Sequence, residues 1–234
     1  MNTTMNSYQQ SLSDVLQRIA GAAKKAGRDP LDIRLVAVSK TVRADRLRQA
    51  ILAGVDIVGE NYVQEARNKF SELGDLSVQW HFIGHLQRNK AKYVVRIFDL
   101  IHSVDSTRLA DEINHQAGRI DKIQPILVQV NLAGETTKSG IEPEAVEQLV
   151  RHIGTLPHLS LQGLMTMPPF FNAPEKVRPY FNQLRLLRDQ IGEMAIDHVH
   201  MNELSMGMTG DFETAVEEGA TLVRIGTAIF GARK

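Results

Sequence analysis

Cysteine is absent from the 234 residues, which excludes a disulfide framework, a cysteine nucleophile, a CxxC redox pair and a thiolate zinc site. An excess of charge of either sign is absent too. Lysine plus arginine and aspartate plus glutamate both number 27, so no net field draws the chain to nucleic acid or to an anionic membrane, and neither is expected as a partner. Any anion it binds must be held locally. Glycine (17) and proline (8) are too few for a fibrous or low-complexity chain. No apolar run approaches the roughly 18 residues of a membrane span, and the opening MNTTMNSYQQ has neither a basic n-region nor an apolar h-region. A cytoplasmic chain is the expectation, and the Asn2-Thr3-Thr4 sequon is then a chance match.

What is present is a rhythm. Leu12, Val15, Leu16, Ile19 and Ala23 are spaced by threes and fours, and Gly27 follows as a stop signal, which predicts an amphipathic helix over Ser11 to Gly27. The run Ile33 to Lys40 (IRLVAVSK) is short, β-branched and continuous, as expected of a strand covered on both faces. Candidate strands then start near Ile33, Asp56, Val78, Asp99, Gln124, Leu159, His198 and Thr221, with helical segments such as Asp45 to Ala53, Arg88 to Ile97 and Ala145 to Ile153 between them. The starts recur about every 27 residues, close to the roughly 30 of a βαβ unit. Eight such units without an interrupting linker predict an α/β fold, a (β/α)8 TIM barrel with an extra N-terminal helix, and one domain over 1–234. The rival open doubly wound sheet would want a glycine-rich turn after its first strand, where this chain has Ser39-Lys40-Thr41.

In a barrel the chemistry sits at the C-terminal strand ends. Lys40 ends the first strand on the face of Val36 and Val38, either snorkelling to solvent or held in a partly desolvated mouth where a neutral amine attacks a carbonyl. Arg224 stands between Val223 and Ile225; buried there, it needs an acceptor, either a glutamate such as Glu60 or Glu203, or a ligand lone pair. Gly226 and Thr227 offer backbone N–H groups and a hydroxyl where barrels bind phosphate, and Ser205-Met206-Gly207-Met208 ends the seventh strand beside them. Along a strand Arg224 lies about 10 Å deeper than that cup, and closure brings Lys40 beside it.

AVSKT (37–41), GENYVQE (59–65), WHFIGHLQRNK (80–90), KSGI (138–141), GLMTM (163–167), LSMGM (204–208) and VRIGTAIFGAR (223–233) closely resemble the pyridoxal phosphate homeostasis proteins, the YggS/PROSC group. The resemblance runs over nearly the whole chain. It implies the alanine-racemase N-terminal-domain-like barrel without the second domain of the racemases, and pyridoxal 5'-phosphate (PLP) as cofactor. Lys40 would carry PLP as a Schiff base, Arg224 would face the pyridine nitrogen, and Ser205, Gly207, Gly226 and Thr227 would hold the phosphate. Thr209 stands where many members have serine.

Other residues have a plainer reading. His81 and His85 straddle a strand end and a glycine, so they do not form a helical zinc pair. Arg88, Lys92 and Arg96 form an i, i+4 basic row, read as a solvated helix face. Asn61 ends the second strand and either touches a ligand or satisfies a turn, while Met165, Met206 and Met208 pad a ring or fill core gaps. The function expected is PLP homeostasis, with PLP-dependent apoenzymes as recipients left open and no sustained turnover. A PLP-dependent amino-acid racemase is the alternative, though it needs a second acid/base and a carboxylate site. A Schiff-base aldolase would leave Arg224 without a ring acceptor. Lys138, expected after the fifth strand at the same rim, is a candidate secondary or transfer site.

Overall fold

The computed structural model describes residues 7–134, 139–169, 171 and 173–231. Eight parallel strands close in sequence order: β1 (Arg34–Val38), β2 (Ile57–Glu60), β3 (Gln79–Phe82), β4 (Leu100–Val104), β5 (Gln124–Val130), β6 (Leu159–Thr166), β7 (Val199–Ser205) and β8 (Leu222–Ile225). Closure is made by β8 on β1, with Val36 opposite Arg224 and Ala37 opposite Ile225. Between the strands run α2 (Ala44–Leu52), α3 (Val63–Glu72), α4 (Ala91–Ile97), α5 (Thr107–Gly118), α6 (Val146–Ile153), α7 (Arg178–Gly192) and α8 (Phe212–Glu217). A short α9 (Thr227–Phe230) follows β8.

The extra helix α1 spans Ser7–Lys25, four residues earlier at its start than the apolar spacing predicts, because Tyr8 adds a further buried turn. Its end is where the glycine signal put it. Gly27 takes φ 68 and the Arg28 N–H returns to the Ala23 carbonyl, a closure that a left-handed residue permits. The predicted helix over 88–97 divides into a 3-10 turn, Arg88–Lys90, and α4. Arg88, Lys92 and Arg96 are all exposed, the solvated row expected.

Strand alternation separates two packing layers. Val36, Ile57, Leu100, Leu127, Met165 and Leu222 form a small cluster inside the barrel, while Leu35, Ala37, Val223 and Ile225 join the larger core shared with the helices. One step further along, the interior of five strands changes character: Gly59, His81, His102, Ser205 and Arg224 occupy the inward positions of β2, β3, β4, β7 and β8. Gly59 is there because a side chain would meet Val36 Cγ1 at 2.8 Å and Ile83 Cδ1 at 3.0 Å. The apolar layer is therefore a floor, and the polar layer above it faces the C-terminal mouth. Among the described residues no helix is long and apolar enough to cross a membrane.

Candidate cofactor site at the barrel mouth

A cavity of about 270 Å³ opens above the polar layer, lined by Val38, Lys40, Asn61, Ile83, Met208, Arg224, Gly226 and Thr227 among others. Five residues singled out from sequence as ligand contacts, Lys40, Asn61, Arg224, Gly226 and Thr227, thus meet in one space although they stand on or just after β1, β2 and β8. Lys40 is half-buried, two residues beyond the end of β1. A basic shelf containing Arg43 and Arg46 continues outward from Lys40, Gly226 and Thr227. A larger cleft of about 680 Å³, with Arg67 and Lys90, shares only Asn61 with the mouth and contains neither Lys40 nor Arg224.

The turn carrying Lys40 is clamped from below. Lys69, buried on α3, donates to the Ser39 carbonyl at 2.6 Å, to Glu60 at 2.6 Å and to Glu65 at 2.7 Å. Glu65 also accepts the Thr41 N–H at 2.6 Å, and the Ser39 hydroxyl donates to Glu60. Both neighbours of Lys40 are therefore tied to one buried ion cluster, with Thr41 held at φ 66. Burial pushes the Glu60 carboxyl above its ordinary value, opposed by the Lys69 ammonium.

Arg224 is 3% exposed. Neither expected glutamate pairs with it: Glu60 is engaged by Lys69, and Glu203 by Arg34 at 2.5 Å. Glu60 follows the inward-facing Gly59 and so points to the helix side of the sheet, toward Lys69 of α3. Its Nη1 instead donates to Ser205 Oγ at 2.5 Å and its Nη2 to the Thr166 carbonyl at 2.8 Å. Burial lowers its pKa to about 10, with Asp211 opposing, so it stays charged at neutral pH. Asp211 lines the cavity and accepts the Met208 N–H at 2.6 Å, holding the loop after β7 in place.

Ser205 is located differently from the phosphate position that the sequence blocks implied. It is fully buried and absent from the cavity wall, beneath Arg224 and 2.8 Å from His102 Nδ1. Its hydroxyl is taken up between the Arg224 guanidinium and the His102 ring. Gly207 lies behind the wall at φ 91, where a side chain would meet Ala215 Cβ at 2.6 Å, and its carbonyl accepts the Arg224 N–H. The hydroxyl-bearing residue of the loop after β7 that lines the cavity is Thr209, next to Gly210. Met208 and Met167 line the cavity, whereas Met165 and Met206 are core. Lys138 lies outside the described residues.

His102 escaped the sequence reading, and His81 was read there only as no part of a helical zinc pair. His102 Nε2 is 3.0 Å from His81 Nδ1, the two rings lying 5.0 Å apart inside the barrel. Burial lowers the His81 pKa to about 3 and holds His102 well below the ordinary imidazole value. A histidine inside the apolar strand Leu-Ile-His-Ser-Val was the available signal for His102.

The chain matches the family model "Alanine racemase, N-terminal domain" over residues 11–234. A protein of Aquifex aeolicus named "Pyridoxal phosphate homeostasis protein" is 48% identical over 223 residues, 95% of this chain and 97% of that one. The chain belongs to the pyridoxal phosphate homeostasis protein family. The Escherichia coli K12 protein of the same name is 42% identical over 237 residues, covering 98% of each chain. PipY of Synechococcus elongatus, in a structure with PLP bound, superposes with a TM-score of 0.81 at 35% identity, over 93% of this chain and 100% of that one. Alanine racemase of Clostridium difficile shares the fold at 16% identity and TM-score 0.67, and the match spans only 57% of that longer chain. The Aquifex and Escherichia proteins carry a homeostasis name.

Proposed function

We propose that this protein holds PLP reversibly in the barrel mouth as a Schiff base on Lys40, in the service of intracellular PLP homeostasis, and that 1–234 act as one PLP-binding domain. The observation that carries this is the meeting of Lys40, Arg224, Gly226 and Thr227 around a single cavity. The residues fit the cofactor. Arg224 is buried with five N–H donors, of which Ser205 and Thr166 engage two, so a ligand acceptor is wanted at that end. Asn61 Oδ1 is buried without a partner, an acceptor in want of a donor. Gly226 lines the cavity beside Thr227 and passes close to β1, where a Cβ would lie 3.3 Å from the Val38 carbonyl, so its backbone N–H is left unobstructed for a phosphate.

When bound, PLP supplies an aldehyde that amines exchange at and a ring that draws electrons. The chain's own contributions are orientation and charge. The ion cluster around Lys69 fixes the backbone on either side of Lys40. Thr227, Thr209 and the N–H of Gly226 would hold the phosphate, while Arg224, a pure donor, would donate to the ring nitrogen without protonating it. That leaves the ring a weak electron sink, so hand-over to amines or apoenzymes is favoured and carbanion chemistry is not.

Borohydride reduction of the PLP-loaded protein followed by peptide mapping tests the assignment, with the label expected on Lys40 and lost in Lys40→Ala. Recovery on another lysine alone overturns it. Amino acids of both hands, incubated with loaded protein and followed by chiral analysis, should show exchange without sustained turnover. Multiple turnovers that vanish in Lys40→Ala would replace the carrier with a racemase.

A further inference from the structure

Ser205, His102 and His81 form a buried line that starts at Arg224 and ends across the barrel from it. The steps are 2.5 Å from Arg224 Nη1 to Ser205 Oγ, 2.8 Å from Ser205 to His102 Nδ1 and 3.0 Å from His102 Nε2 to His81 Nδ1. The direction of the line follows from hydrogen-bond inventory. A guanidinium only donates, so Ser205 Oγ accepts from it. The serine proton then has His102 Nδ1 as its acceptor, which puts the imidazole proton of His102 on Nε2, donating to His81 Nδ1. The opposite direction would give Ser205 two donors and leave its own proton without an acceptor in a fully buried place.

We propose that Ser205, His102 and His81 are positioning residues for the ring-nitrogen end of the bound cofactor, not phosphate ligands: they lock the guanidinium of Arg224 so that its remaining N–H groups aim into the cavity. The inference rests on the proposed binding of PLP at Lys40. Two anchors, Ser205 Oγ and the Thr166 carbonyl, hold the two terminal nitrogens and leave the planar fork one orientation. Both imidazoles are desolvated and neutral, so the line carries no proton that could pass through Ser205 toward the ring. The donor at the ring nitrogen is thereby kept a hydrogen-bond donor only. Ser205 does this bonded to Arg224 and outside the cavity lining, to which Thr209, Gly226 and Thr227 belong.

The test measures binding of PLP and of pyridoxal, which lacks the phosphate, to wild-type protein, Ser205→Ala, Ser205→Thr, His102→Gln and Thr227→Ala, together with the absorption band of the borohydride-reducible complex. A lost hydrogen bond to a charged group corresponds to about a ten- to hundredfold change in affinity. Ser205→Ala is expected to weaken PLP and pyridoxal by the same factor within that range and to shift the band. Ser205→Thr, which restores the hydroxyl, should return both toward wild type. His102→Gln should act in the same direction as Ser205→Ala from a position that touches no ligand, which keeps the test decisive if Ser205→Ala fails to fold. Thr227→Ala should weaken PLP alone. Loss of PLP with pyridoxal unchanged in Ser205→Ala, or an unmoved band and unmoved affinities in both Ser205→Ala and His102→Gln, overturns the positioning role while leaving the Lys40 label intact. Absence of that label in wild-type protein overturns the binding reading and this one together.

Discussion

Acid should unfold this protein earlier than its carboxylates alone would require, and the buried histidine pair sets the size of the effect. In the folded state His81 holds no proton until about pH 3, because burial disfavours the imidazolium. In the unfolded chain the same ring titrates near 6.5. Between those values the unfolded state binds more protons, so stability rises with pH and is lost as the pH falls from 7. Going from pH 7 to pH 5, the unfolded ring takes up about 0.7 of a proton that the folded ring refuses, which costs about 2 kcal/mol for His81. His102 is pushed the same way, by burial and by its neighbours His81 and Arg224, and adds to the loss. Urea unfolding of protein without added cofactor, at pH 7, 6 and 5, measures the slope. His81→Asn supplies the comparison: every other titrating group is common to both proteins, so the difference in slope isolates His81. The variant should lose about 2 kcal/mol less than wild type between pH 7 and 5, whatever its absolute stability. Equal losses in the two proteins would refute the reasoning, since they would mean that His81 charges in the folded barrel or is never desolvated.

Further outcomes follow from the site. Thr227→Ala should weaken PLP by about 1.5 to 3 kcal/mol and leave pyridoxal little changed, read by equilibrium titration. Lys69→Met leaves Glu60 buried and unpaired, at a cost of about 3 to 5 kcal/mol in denaturant unfolding, and the double variant with Glu60→Gln should recover most of it. Gly84→Ala would bring a Cβ to 2.2 Å from the Asn61 carbonyl, so thermal melting should fall by the equivalent of about 1 to 3 kcal/mol and Asn61 should move from the mouth.

The barrel was legible because its signals are local. Short β-branched runs alternating with helical periods mark eight units, and each expected strand start falls within one residue of the observed strand. Position within a strand was legible as well: Lys40 past the end of β1 and Arg224 in β8 both follow from period-two alternation and from the rule that barrel chemistry sits at strand ends. Gly226 and Thr227, adjacent in sequence to Arg224, came with it.

What the chain alone determined, then, is which residues point inward and at which end of the strands they stand. What only the tertiary structure decided is which inward residue meets which, and at what depth. Ser205 and Thr209 are four residues apart and chemically alike, yet one lies under Arg224 and the other faces the cavity, because the strand ends between them. His102 and His81 come from neighbouring strands, and Ser205 reaches His102 across the barrel, a contact that exists only once the sheet has closed. Lys69 finds Glu60 only when α3 folds back on β2. Periodicity fixes the face of a residue, but its partner across a closed sheet depends on register and closure, which involve all eight strands at once and are written in no single stretch of sequence.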